Sequence, residues 1–154
     1  MKKMLLACFF LTIPLLACSS EEPKELQKLR GMDTEKAYEN FLRLPPQVQV
    51  DLVSWELDNR RPSSSHYDFL LIRNGQKISN NLLLKAIETD NFNVNITMLL
   101  IYSDLLPQLR DENRYQVEQA LSRCRVLGGN DNAECRNVRS AIQSHRKKRR
   151  KSHT

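Results

Sequence analysis

Val94-Asn95-Ile96-Thr97-Met98-Leu99-Leu100-Ile101-Tyr102-Ser103-Asp104-Leu105-Leu106 decides the fold of this 154-residue chain. Wound at about 3.6 residues per turn, the stretch is apolar on nearly every side, and such a helix is buried on nearly every side. It is expected to be the central helix of the core, closed by Pro107. Towards the C-terminus, Asp111 is expected to start a helix with Tyr115, Val117, Leu121, Cys124 and Leu127 inward. Gly128-Gly129 ends it, and Asn130-Asp131-Asn132 supply turn and cap residues. A last helix, Ala133 to about Ser144, turns Val138, Ala141 and Ile142 inward.

Towards the N-terminus the same period continues. Ser79 is read as the cap of a helix with Leu82, Leu83, Ala86 and Ile87 inside. Tyr67 to Ile72 is a short apolar run before Arg73-Asn74-Gly75. It reads as a strand or a helical turn, and helix is favoured because no partner strand is visible. Asn59 to Ser65 is a loop, with Pro62 and three serines. Before it, Pro46 opens a helix carrying Val48, Leu52, Val53 and Trp55. Asp33 or Thr34 caps the first one, whose apolar face is Ala37, Tyr38, Phe41 and Leu42. Pro45-Pro46 stops it, because the residue before a proline is pushed out of the α region. The class is all-α: a compact bundle of about six helices in three hairpins, 34–57, 79–106 and 111–144. Such pairs have the length of α-solenoid repeats, but no residue pattern recurs between them.

The chain ends are of a different kind. Met1-Lys2-Lys3 precedes an apolar run, Met4 to Leu16, of about 13 residues, too short to span a bilayer as a permanent helix. Leu15-Leu16-Ala17-Cys18 follows. This order of basic start, apolar run and small residue before cysteine resembles the signal of bacterial lipoproteins. The resemblance covers the lipobox tetrapeptide and the segment before it. It implies lipidation of Cys18 by diacylglycerol, cleavage after Ala17, and acylation of the new amino group. Leu5-Leu6-Ala7-Cys8 is the same tetrapeptide, but it leaves almost no apolar run ahead of it. Ser19 after Cys18, rather than Asp, favours the outer membrane by resemblance to enterobacterial sorting. The organisation expected is therefore a signal at 1–17, a tether at 18–30, a helical domain at 31–145 and a basic disordered tail at 146–154.

Export also bears on the remaining thiols. Cys124 and Cys135 form an even pair in an oxidising compartment, so a disulfide is expected. They lie one turn before the glycines and in the first turn after the cap, where a helical hairpin brings its two arms together. Closing that loop is worth about 3 kcal/mol on the chain-entropy model.

Arg146-Lys147-Lys148-Arg149-Arg150-Lys151 is six consecutive cations, equal to the whole formal excess of +6. Without them and without Lys2 and Lys3, the rest of the chain has two more acids than bases. Six adjacent cations repel one another and are expected to fray. Nucleic acid is the usual partner of such a run, but export removes it from that partner. The polyanions left are lipid headgroups, lipopolysaccharide phosphates and wall polymers, and these six residues are the candidate anion-binding set.

No catalytic constellation is expected. Ser65, His66 and Asp68 are hydrolytic residue types, but they are neighbours in one loop, and catalytic partners are assembled from distant segments. The four glycines make no phosphate loop. Two cysteines without a histidine at ligand spacing make no zinc site, and no cofactor is implied. The expectation is a non-enzymatic, periplasm-facing protein-binding module with a protein partner. Small helical lipoproteins of this type are similar to immunity proteins against secreted antibacterial toxins, and a domain slightly acidic outside its tail suits a basic toxin. The alternative expectation is an envelope structural or assembly lipoprotein that uses the basic tail.

Overall fold

The computed structural model describes residues 21–59 and 65–151. Cys18 and its lipobox lie outside the described residues. Eight α-helices and no strand occur among those described: α1 (Lys24–Arg30), α2 (Thr34–Arg43), α3 (Pro46–Asn59), α4 (Asp68–Leu71), α5 (Gln76–Glu88), α6 (Phe92–Leu105), α7 (Arg114–Gly128) and α8 (Ala133–Lys151). The all-α class holds, with eight helices where about six were expected. The two outside the three expected hairpins are α1, which was not expected, and the single turn α4, which is the helix favoured for residues 67–72.

The 94–106 stretch forms α6 as far as Leu105, with Leu106 opening a 3₁₀ turn that contains Pro107, and α6 packs against α3, α5, α7 and α8. Val94, Asn95, Ile96, Met98, Leu99, Tyr102, Ser103 and Leu105 are all buried. Asn91 caps it, accepting from the backbone N–H groups of Asn93 (2.8 Å) and Val94 (3.4 Å). Buried Asn95 donates to the carbonyls of Ala86 (2.6 Å) and Ala120 (3.3 Å), tying α6 to α5 and α7. One side stays uncovered, however. Leu100 is 50% exposed and Ile101 is only partly covered.

The entry to the bundle follows the proline logic. Asp33 caps α2 by accepting from Lys36 N–H at 3.0 Å. Leu44 is extended before Pro45, with ψ 152°. Its carbonyl is taken by the Gln49 side chain at 2.8 Å. Fully buried Gln49 also accepts from Asn74 at 2.7 Å, so one amide joins the α2–α3 corner to the segment after α4.

Several sequence expectations are corrected. Residues 24–30 of the tether form α1, because Leu26 and Leu29, one turn apart, are both buried and the helix lies on α2. Ser79 does not cap α5. That helix starts at Gln76 behind Gly75, whose φ of 53° suits a residue without a side chain. Ser79 lies inside the first turns and donates to the Gln76 carbonyl at 2.9 Å. Helix α7 starts at Arg114, with Asn113 as its cap, and not at Asp111. Its inward stripe is Val117, Ala120, Leu121 and Cys124. Tyr115, two residues before Val117, falls on the opposite face and is 73% exposed.

The α7–α8 turn is close to expectation. Gly129 takes φ 87° at the end of α7. A Cβ on Gly128 would lie 2.4 Å from a ring carbon of Phe92, so a side chain there would force that ring to shift. Asn132 caps α8 by accepting from Glu134 and Cys135 N–H groups at 2.9 and 3.1 Å. Cys124 and Cys135 are joined by a disulfide, with Cα atoms 5.9 Å apart.

The tail expectation is also corrected. Helix α8 does not end near Ser144 but runs through Lys151. Two physical reasons support the extension. Cations in the last turns of a helix face the negative end of its dipole. Arg146 is also engaged by acids of the neighbouring segment, which removes part of the repulsion that was expected to fray it.

Candidate functional site

The basic run divides once it is helical. Arg146 donates from Nε to Glu112 at 2.7 Å and from Nη1 to Glu118 at 3.1 Å, and its side chain is 20% exposed. Burial works against that guanidinium's charge, but the two carboxylates outweigh it, so its pKa is raised. Arg149 donates to the Arg110 carbonyl at 2.7 Å. Lys147, Lys148 and Lys151 are exposed. Beneath this end lies Tyr102, buried on α6, whose hydroxyl has no hydrogen-bond partner among the described residues. Burial first, then the negative charge of Glu112, push its pKa up to about 12, against the pull of Arg146 and Arg149.

Ser65 and His66 converge, though not on each other. Both face Glu56, a carboxylate on α3 with no exposure at all. Glu56 Oε2 accepts from Ser65 Oγ at 2.6 Å and from His66 N–H at 2.9 Å. His66 Nδ1 lies 3.3 Å from Oε1, and Arg30 Nη2 lies 3.7 Å from it. The other guanidinium nitrogen of Arg30 pairs with Glu22. The Ser65 hydroxyl thus donates to the Glu56 carboxylate and not to the His66 imidazole. Asp68 takes no part, its Oδ1 accepting instead from the Phe69 N–H at 2.7 Å. The cluster ties residues 65 and 66 to α3, and its Arg30, Glu56 and His66 wall a cleft of about 440 Å³ with Met32, Thr34, Tyr38 and Tyr67. Tyr67 stacks on Phe41 with centroids 4.8 Å apart. Burial raises its phenol pKa, Glu56 adds to the rise and Arg30 opposes it.

Phe69 stands beside this cleft. It is 50% exposed, and its ring meets Tyr38 edge to face at 5.3 Å. On its other side is a shallow groove of about 260 Å³ formed by Asp68, Phe69, Ile72, Ile101 and Asp104. Leu100 lies on the same α6 face, one turn before Asp104. The uncovered side of the most apolar helix therefore continues into an aromatic patch. Its two flanking carboxylates have no ion-pair partner among the described residues. Sequence reading missed this surface because it assumed that α6 was covered all round. It also missed Glu56, although that acid sits within the apolar stripe of Leu52, Val53 and Leu57, an unusual place for a charge.

Among the described residues, no group of three or more His, Cys, Asp or Glu side chains is placed to hold a metal, and no helix is long and apolar enough to cross a membrane. Neither a family model, nor a curated protein, nor a solved structure matches the chain.

Proposed function

We propose that the mature chain is an outer-membrane lipoprotein, anchored at Cys18 and facing the periplasm, that acts as a protein-binding module of the immunity or inhibitor kind. The observation that supports the binding surface is the uncovered apolar face of α6 and its continuation into half-exposed Phe69. Aromatic side chains in such positions carry a large share of interface energy when a partner covers them. The occupant is a protein segment that lays an apolar side chain into the Phe69–Ile72–Ile101 groove and carries basic residues to meet Asp68 and Asp104. The slight acidic excess of the chain outside its basic run and signal suits the same partner.

The helices and their core lie within residues 21–151, so a chain beginning at Ser19 keeps the fold without the anchor. Used as bait in exported protein from the source cell, it should retain one basic protein stoichiometrically. Phe69→Asp with Leu100→Asp should lose that protein while keeping the helical circular dichroism signal. Retention unchanged by this double substitution would move the binding site elsewhere. Separately, labelled fatty acid should enter the full chain and be absent from Cys18→Ser.

A further inference from the structure

We infer that the cleft lined by Arg30, Tyr38 and Tyr67 is a binding site for an uncharged saccharide, separate from the groove beside Phe69. At about 440 Å³ it falls within the span of about 300–1,000 Å³ typical of small-ligand sites. Its walls are of three kinds, and each restricts the ligand.

The charged wall is closed upon itself. Glu56 already accepts from the Ser65 hydroxyl and the His66 N–H, and Arg30 is shared between Glu56 and Glu22. A charged ligand would have to displace one of these partners and leave its counterpart unmatched where water is scarce. An uncharged ligand need not. A guanidinium has five N–H donors, so Arg30 can give a further hydrogen to a ligand oxygen while it keeps both carboxylates.

The second wall is made of hydroxyls. Thr34, Tyr38 and Tyr67 line the cleft, and their side-chain oxygens make no hydrogen bond among the described residues. Tyr67 is the most constrained of them. Only 5% of it is exposed and its ring is stacked on Phe41, yet its oxygen is not sealed in as that of Tyr102 is. A hydroxyl both donates and accepts, so three of them suit ligand groups that do the same, as sugar hydroxyls do. The third wall is apolar: Leu29 and Ala37 are buried, and Met32 is 40% exposed. It can cover the C–H face of a pyranose ring. A plain hydrocarbon would strip water from the three hydroxyls and replace none of its hydrogen bonds.

The test titrates the chain from Ser19 with D-glucose, N-acetylglucosamine and cellobiose, read by calorimetry and by amide NMR. At least one sugar should bind saturably and shift the amides of Thr34, Tyr38 and Tyr67. Tyr38→Phe/Tyr67→Phe removes two hydroxyls that the fold does not use, so circular dichroism should be unchanged. Affinity should fall about fivefold for each and roughly twenty-fivefold for both. Leu100→Asp, on the uncovered face of α6, should bind the sugar as the parent does. The inference would be overturned if none of the three sugars shifted the cleft, or if the double variant kept the parent's affinity. Tighter binding there of benzoate or benzylamine, which are charged, would overturn it as well, and so would an equal loss in Leu100→Asp.

Discussion

Two corners of this molecule are tied back to a helix from almost the same distance along the chain, by different chemistry. Cys135 is bonded to Cys124, eleven residues earlier. Ser65 and His66 are held by Glu56, nine and ten residues earlier. The covalent tie acts mainly on the unfolded chain, whose freedom it restricts. The carboxylate tie exists only in the folded state, where burial strengthens its hydrogen bonds and makes any missing partner costly. A bond that survives unfolding is insensitive to its surroundings, whereas a buried carboxylate depends on each donor around it.

Substitutions at the two corners test this contrast. Glu56→Ala should be the most damaging, at about 3–5 kcal/mol in denaturant unfolding, because Ser65, His66 and Arg30 lose a buried partner together. Its denaturant slope should stay that of the parent. Replacing both Cys124 and Cys135 by alanine should cost about 3 kcal/mol and steepen the slope, since the unfolded chain becomes more expanded. If Glu56→Ala cost less than loss of the disulfide, the buried carboxylate would be the weaker of the two ties.

Arg146→Gln extends the comparison to a partly exposed tie. It should cost about 1–2 kcal/mol and shorten α8 by amide exchange, because half-exposed Glu118 keeps its access to water while nearly buried Glu112 loses a partner. Tyr102→Phe should have the smallest effect at neutral pH, neutral or stabilising by up to about 1 kcal/mol, since the hydroxyl it removes has no partner. Its effect grows in alkali. The folded phenol keeps its proton to about pH 12, while the unfolded one releases it near its ordinary value of 10.0. The parent therefore has this contribution in full below pH 10.0 and loses it as pH rises towards 12, a loss absent from the phenylalanine variant. Ultraviolet titration of the tyrosines and unfolding at high pH measure both.

The bundle class, the central place of α6 and the stapled hairpin were legible in the sequence because each rests on local periodicity or on the pairing of two cysteines. What was not legible depends on contacts between distant segments. Leu26 and Leu29 are too few to announce a helix until α2 gives them a surface. The cations at 146–151 look self-repelling until Glu112 and Glu118 are brought beside them. Ser79 was read as the start of α5, but the helix begins three residues earlier behind Gly75, whose backbone conformation is set by contacts the sequence does not display. Ser65 and His66 look like an ordinary loop until the acid that holds them is found on α3. The groove beside Phe69 depends on what α6 lacks as a neighbour, which no single-chain pattern encodes.

The hairpin disulfide also bears on how the chain matures. The whole chain holds four cysteines, which allow three pairings of two bonds, but residues 124 and 135 by themselves allow one. A domain whose two thiols sit on consecutive helices needs an oxidant and no isomerase, because there is no wrong partner to exchange. If the chain is exported, cleaved and acylated at Cys18 as proposed, oxidation after export meets no competing thiol, and the bond can close as soon as α7 and α8 meet.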